Sequence, residues 1–289
     1  MKTIKELVDL LTLNKIDDCT FQGNNYKTPW KRVFGGQVLG QALHAAYQTV
    51  PEDRFAHSMH GYFILTGQVD EPIVYEVDII RDGGSFTTRR VVAKQGKKAI
   101  FVMSASFQLR QDGFVHQITM PNVLTPDVLL NDFEQIQHLK ETHPQLYKRL
   151  TIIHPNAIEF RPVEDLYKSE HRSRSPHRHV WFKSREEAKI SLAMQHQLLA
   201  YASDYNLLTT AVVPHLEKLE INNLFFASID HAIWFHNDFQ IDNWLLYATD
   251  SPSAGGSRGF SRGSIFNESG KLIASVVQEG LIRQKDTKK

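Results

Sequence analysis

The sequence is short of cysteine, of net charge and of long apolar runs. A single cysteine, Cys19, in 289 residues excludes an intramolecular disulfide framework and any multi-cysteine zinc or iron–sulfur site, and it fits a reducing compartment. The 33 basic side chains nearly cancel the 32 acidic ones, leaving +1 at pH 7. That balance argues against general polyanion binding and leaves room for a local basic pocket. No apolar run approaches the roughly 20 residues needed to cross a bilayer. The opening Met1-Lys2-Thr3-Ile4-Lys5-Glu6-Leu7 carries an acid too early for a signal peptide, and the closing Asp286-Thr287-Lys288-Lys289 is not a Ser-Lys-Leu peroxisomal tail. Neither a P-loop nor a G-x-G-x-x-G leading into a helix is present. A cytoplasmic protein is expected, with no membrane or nucleic-acid partner.

What is present is ordinary globular composition, 42% hydrophobic and 22% charged, at a length that suits one large domain or two. Internal similarity favours two. Gln37-Val38-Leu39-Gly40-Gln41-Ala42 resembles Gln197-Leu198-Leu199-Ala200-Tyr201-Ala202. In the same order, His57-Ser58-Met59-His60-Gly61-Tyr62-Phe63 parallels Ser228-Ile229-Asp230-His231-Ala232-Ile233-Trp234-Phe235. A third pair sets Gly96-Lys97-Lys98-Ala99-Ile100-Phe101-Val102 against Gly270-Lys271-Leu272-Ile273-Ala274-Ser275-Val276. Three matches in one order indicate a duplicated unit.

Each unit opens with a segment rich in Ala, Leu and Gln, apolar on most faces, which predicts a buried helix at residues 35–47 and 190–205. Runs rich in Val, Ile, Tyr and Phe follow and predict strands at 59–65, 73–81, 85–95 and 99–110, then at 232–236, 244–248, 260–266 and 272–283. Short strands at 21–23, 157–162 and 180–183 precede the helices. One helix followed by several strands is an α+β pattern, best met by an antiparallel sheet wrapped around a central helix. Residues 121–148, with Pro, His, Asp and Glu among scattered Leu, read as a partly helical linker. Residues 3–13 read as a short amphipathic helix with Leu7, Leu10 and Leu11 on one side. The expected division is 1–118, a 119–150 linker and 151–289.

Asp204 is the first candidate for chemistry. It stands near the end of the second buried helix, with no basic side chain at neighbouring helical positions and at the unfavourable end of the helix dipole. It either ends the helix, turns to solvent, or serves as a pocket carboxylate. Gln278 shares a strand face with Leu272, Ala274, Val276, Gly280 and Ile282. A primary amide among apolar neighbours needs partners; an edge or interface position is the plain alternative. Glu279 poses the same question on the opposite face. Ser228 opens a strand running to His236 and carries no signal by itself.

Other patterns weigh less. Gly255-Gly256-Ser257-Arg258-Gly259 spells the G-x-S-x-G nucleophile elbow, but strand-like residues follow it and the last histidine is His236, so the order of triad residues is impossible. It reads as a flexible loop, with Arg258 and Arg262 either solvated or set for a ligand phosphate. Of 14 histidines, His57 and His60 fall on opposite faces of an extended segment, while His177 and His179 share one without a completing ligand. The basic run 168–178 reads as a solvated loop or a contact for a phosphorylated ligand.

The ordered motifs Phe34-Gly35-Gly36-Gln37-Val38-Leu39-Gly40-Gln41-Ala42, His57 to Phe63, Arg81-Asp82-Gly83-Gly84-Ser85-Phe86, Tyr201-Ala202-Ser203-Asp204, Ser228 to His236 and Val277-Gln278-Glu279-Gly280 together resemble the acyl-CoA thioesterase II family. The resemblance spans nearly the whole chain. It implies a double hotdog fold, two α+β units in which a sheet wraps a long helix. It also implies hydrolysis of fatty acyl-CoA, in fatty acid metabolism, without metal or cofactor, by a homo-oligomer (dimer or tetramer). By motif, the family's catalytic Asp, Thr or Ser, and Gln fall on Asp204, Ser228 and Gln278, with serine where many members carry threonine. His44 matches Asp204 in the first unit. A hotdog enoyl-CoA hydratase is disfavoured because no Asp is followed by Asn-Pro-Leu-His, and a non-catalytic acyl-CoA-binding protein is disfavoured by the intact residue set.

Overall fold

Thr3 starts the chain's first helix through a capping box: its hydroxyl accepts from the Glu6 N–H, and the Glu6 carboxylate accepts from the Thr3 N–H. A computed structural model describes residues 1–28, 31–151, 156–165, 175–218 and 224–284. In chain order the first half runs α1 (Ile4–Leu11), β1 (Asn14–Lys15), β2 (Thr20–Gly23), α2 (Gly35–Tyr47), β3 (Phe55–Phe63), β4 (Ile73–Asp82), β5 (Phe86–Gln95) and β6 (Lys98–Gln108). Short helices α3 (Asp132–Gln135), α4 (Leu139–Thr142) and α5 (Pro144–Thr151) follow. The second half has β7 (Ile158–Pro162), β8 (His177–Ser184), α6 (Leu192–Ser203), β9 (Leu224–Ser228), β10 (Asp230–Phe235), β11 (Leu245–Gly255), β12 (Arg258–Asn267) and β13 (Leu272–Gln284).

The strands pair in the order β1-β2-β4-β5-β6-β3-β10-β13-β12-β11-β8-β7, with β9 on the far end of β13. Read outward from the central β3–β10 pair, each half repeats one pattern: β3, β6, β5, β4, β2 on one side and β10, β13, β12, β11, β8 on the other. A long helix sits between the outermost and innermost strand of each set in sequence. The duplication read from three weak motif matches is therefore written into the topology. The two halves meet as antiparallel neighbours, Met59 opposite Ile233, so one continuous sheet spans the molecule.

Both long helices are buried on nearly every side, α2 from Gly36 to Ala46 and α6 from Gln195 to Ser203. Such helices need every polar group satisfied. Gln41 donates to the carbonyls of Leu10 and Asn24 and accepts from the Tyr75 hydroxyl. Gln195 donates to Gln240 and accepts from the Ile241 N–H. The helices run against each other at contact distance: a β-carbon on Gly36 would lie 2.4 Å from the Tyr201 carbonyl oxygen. Only glycine permits that approach.

Several expectations are corrected in detail. Ser228 does not open a strand to His236; it ends β9, and the strand is interrupted at Ile229 before β10. The strand expected at 244–248 continues to Gly255 across Pro252, which sits at an irregularity in the β11–β12 ladder, where a missing N–H is tolerated. A 3-10 segment, Leu208–Lys218, had no periodic signature. The G-x-S-x-G string is a two-residue hairpin turn: Gly256 and Ser257 have φ of +55° and +62° between the paired Gly255 and Arg258. Among the described residues no helix is long and apolar enough to cross a membrane.

Candidate active site

Asp204 is the C-cap of α6, and this helix end points at the start of α2. Ser228 closes β9, and Gln278 lies mid-way along β13. The fold brings all three together. Gln278 Nε2 donates to Asp204 Oδ1 at 2.7 Å and to Ser228 Oγ at 2.8 Å, and the Ser228 hydroxyl in turn hydrogen-bonds the carboxylate. Gln278 is 0% exposed, while Asp204 and Ser228 are half-buried. All three line one cavity of about 930 Å³.

Local backbone irregularity aims Ser228 into this cavity. Between the pairs Ser228–Gly280 and Ala232–Val277 the register along β13 slips by one residue. Ile229, at the slip, donates to the Glu279 carbonyl and accepts from Phe63 N–H, both at 2.9 Å. The Glu279 N–H is taken by the Asp230 carboxylate at 2.7 Å. Asp230 thus satisfies a donor at the break, and the bulge re-aims the neighbouring serine.

The N-terminus of α2 supplies the other wall. Gly35 and Gly36 stand where the first amides of a helix have no intrahelical partner, and the Gly36 N–H hydrogen-bonds the Asp204 carboxylate. Burial raises the Asp204 pKa above its ordinary 3.8, and the bonds from Gln278, Gly36 and Ser228 oppose that rise. Three tyrosines surround it. Burial pushes the hydroxyls of Tyr201 and Tyr247 well up and that of Tyr205 to about 12, with the Asp204 charge a smaller cause in each, so all three stay neutral. The arrangement is a carboxylate of raised basicity, fixed by three donors and open to a cavity.

The cavity walls come from both halves. Val38, Phe63 and Phe101 face it from the first half, and Leu208, Phe226 and Leu281 from the second. Arg32 lines it too, exposed and stacked 5.4 Å from the Phe225 ring centre.

The remaining candidates fall into structural roles. His44 is buried with Nδ1 3.1 Å from Gln197 Oε1, between the two helices. His57 bonds Ser106, and His60 packs edge-on against Trp234. His177 bonds Ser175, whereas His179 does have an acidic partner, Glu164, at 2.6 Å. No group of three metal-ligating side chains occurs among the described residues. Glu279 pairs with Arg258 and Asp250 with Arg262, all on the outer face. The basic residues 168–174 lie outside the described residues. In the sequence, Gly35, Gly36 and Asp230 stand only as letters of the motifs. The signal for the glycines was their place at a helix start, where a side-chain cap is usual.

Comparison with known proteins places the chain in one family. The family described as acyl-CoA thioesterase matches residues 154–281, and the acyl-CoA thioesterase N-terminal domain matches 26–108. The chain is 39% identical over 282 residues to acyl-CoA thioesterase 2 of Haemophilus influenzae, covering 97% of this chain and 98% of that protein. It is 39% identical to acyl-coenzyme A thioesterase 8 of Homo sapiens, covering 96% and 88%. The crystal structure of an acyl-CoA thioesterase II from Mycobacterium marinum is similar at a TM-score of 0.79 and 38% identity, covering 97% and 99%.

Proposed function

The chain belongs to the acyl-CoA thioesterase family, a double hotdog thioester hydrolase, and from that premise we propose that it cleaves fatty acyl-CoA with a water held by Asp204, Ser228 and Gln278. The observation that carries this reading is the pair of hydrogen bonds from one amide, Gln278 Nε2, to both the carboxylate and the hydroxyl.

The chemistry follows from which atoms keep free capacity. Gln278 uses both amide protons on its two neighbours, which fixes their oxygens toward the cavity. A water between Asp204 and Ser228 then loses a proton to the carboxylate as its oxygen bonds the thioester carbon. The C–S bond breaks, and the proton passes to the departing CoA thiolate. Holding the water beforehand removes part of the entropic barrier. Negative charge develops on the carbonyl oxygen, and the α2 N-terminus, with the Gly35 N–H at its tip, is the donor we assign to it. The raised basicity of Asp204 suits a general base.

The apolar walls of the 930 Å³ cavity suit an acyl chain, and Arg32 suits a CoA phosphate. We place the two units at 1–118 and 151–289, joined by 119–150, a division supported by the mirrored strand order. The exposed apolar side chains of Phe114, Val115 and Ile118 support a homo-oligomer; sedimentation as a monomer at micromolar concentration would contradict that. The test of function is thiol release across a chain-length series of acyl-CoAs. Turnover by the native enzyme and its loss in Asp204→Asn are expected, and stoichiometric binding without hydrolysis would overturn the proposal.

A further inference from the structure

The side-chain amide of Gln278 is held on one side only. Its Nε2 faces Asp204 and Ser228, but its Oε1 is buried with no hydrogen-bond partner. Rotating the amide half a turn would set Oε1 against the carboxylate and destroy the arrangement, so some donor has to favour the observed orientation.

Two side chains flank Gln278 on the inner face of the sheet. Ser261 lies directly opposite it on β12. The register that pairs Ala232 with Val277 brings His231 alongside from β10. All three residues are 0% exposed, and Ser261 Oγ and His231 Nδ1 also lack partners. Donor accounting separates the two. Ser203 gives its proton to the Ala200 carbonyl, so in the 2.9 Å contact between Ser203 Oγ and His231 Nε2 the proton belongs to the imidazole. Burial pushes the His231 pKa down to about 3, leaving the ring neutral with a lone pair on Nδ1. That lone pair cannot donate to Oε1 and would instead attract the rotated amide. Ser261 has an uncommitted O–H on a single rotor, across a cross-strand pair whose β-carbons stand about 4.5–5.5 Å apart.

We propose that Ser261 is a positioning residue whose hydroxyl, by rotation about χ1, donates to Gln278 Oε1 and so holds Nε2 toward Asp204 and Ser228. The inference rests on the catalytic reading of Gln278. It explains why a polar residue occupies the inner face between Gly259 and Gly263, where an apolar one would pack.

The test is steady-state thiol release from an acyl-CoA by Ser261→Ala, alone and combined with Gln278→Ala. The expected result is a fall in kcat of at least about tenfold with KM unchanged for the single variant, and no further fall when it is added to Gln278→Ala. Ser261→Cys, nearly isosteric and a weaker donor, is expected to lower kcat by less, again at constant KM. Native kcat in Ser261→Ala, or an equal loss in both backgrounds, would overturn the inference. Full turnover in Gln278→Ala with Ser261 intact would instead overturn the catalytic reading beneath it.

Discussion

A β-carbon on Gly35 would stand 2.7 Å from the Oδ2 of Asp204. The first residue of one buried helix is therefore free of a side chain where the cap of the other presents its carboxylate. Gly35→Ala is expected to push the carboxylate off its position and lower kcat about tenfold or more. The fold should survive, because the displaced group borders a cavity rather than packed core. Thiol-release kinetics together with a thermal melt check this; unchanged kcat would show that the close approach is not needed.

Asp204 is expected to cost stability. Its folded pKa lies above 3.8, so the folded protein binds this proton more tightly than the unfolded chain does. Stability from this group is greatest at acid pH, falls as pH rises from the ordinary carboxylate range through the raised folded value, and stays low above it. Asp204→Asn should therefore melt higher than the native protein at neutral pH while its turnover falls about 100-fold or more. A lower melting temperature at pH 7 would contradict the electrostatic account.

The same shift sets the acid limb of the pH–rate profile. Protonating Asp204 removes the base, so kcat/KM is expected to fall with an apparent pKa above 3.8, and the limb should vanish from the residual activity of Asp204→Asn. Neutral tyrosines around it, Tyr205 titrating near 12, add no competing group in that range. A native profile flat down to pH 4 would assign the base elsewhere.

Ser228 is expected to act through its hydroxyl alone. It accepts from Gln278 at 2.8 Å and bonds the carboxylate, roles that threonine can fill. Ser228→Thr should retain most of kcat, and Ser228→Ala should lose about tenfold to 100-fold. Equal kcat in the two variants would remove the hydroxyl from the mechanism.

Much of this was legible in the residues. The helix at 35–47 follows from a run of Ala, Leu and Gln apolar on most faces, the strands expected at 73–81 and 85–95 follow from runs of Val, Ile, Tyr and Phe, and three weak motif matches disclosed the duplication that the strand order repeats. Two of the three candidate residues were also legible, as polar groups at positions where burial needs a reason: Asp204 at an unfavourable helix end and Gln278 on an apolar strand face; Ser228 entered only through the family resemblance. What was not legible depends on register. The one-residue slip at Ile229 that turns Ser228 inward leaves no periodic trace. Nor does the cross-strand placement of Ser261 beside Gln278, since residues far apart in sequence become neighbours only once the ladder is known. The close approach at Gly35 and Gly36 is equally non-local, being set by the far end of a different helix.

The central claim is that water, rather than Asp204, attacks the thioester. Single turnover with enzyme in excess, in water labelled with heavy oxygen, separates direct attack from a carboxylate nucleophile whose anhydride water opens at the aspartyl carbonyl. Direct attack predicts label in the released fatty acid and none in the protein. Label in the Asp204 side chain with an unlabelled acid product would contradict the account.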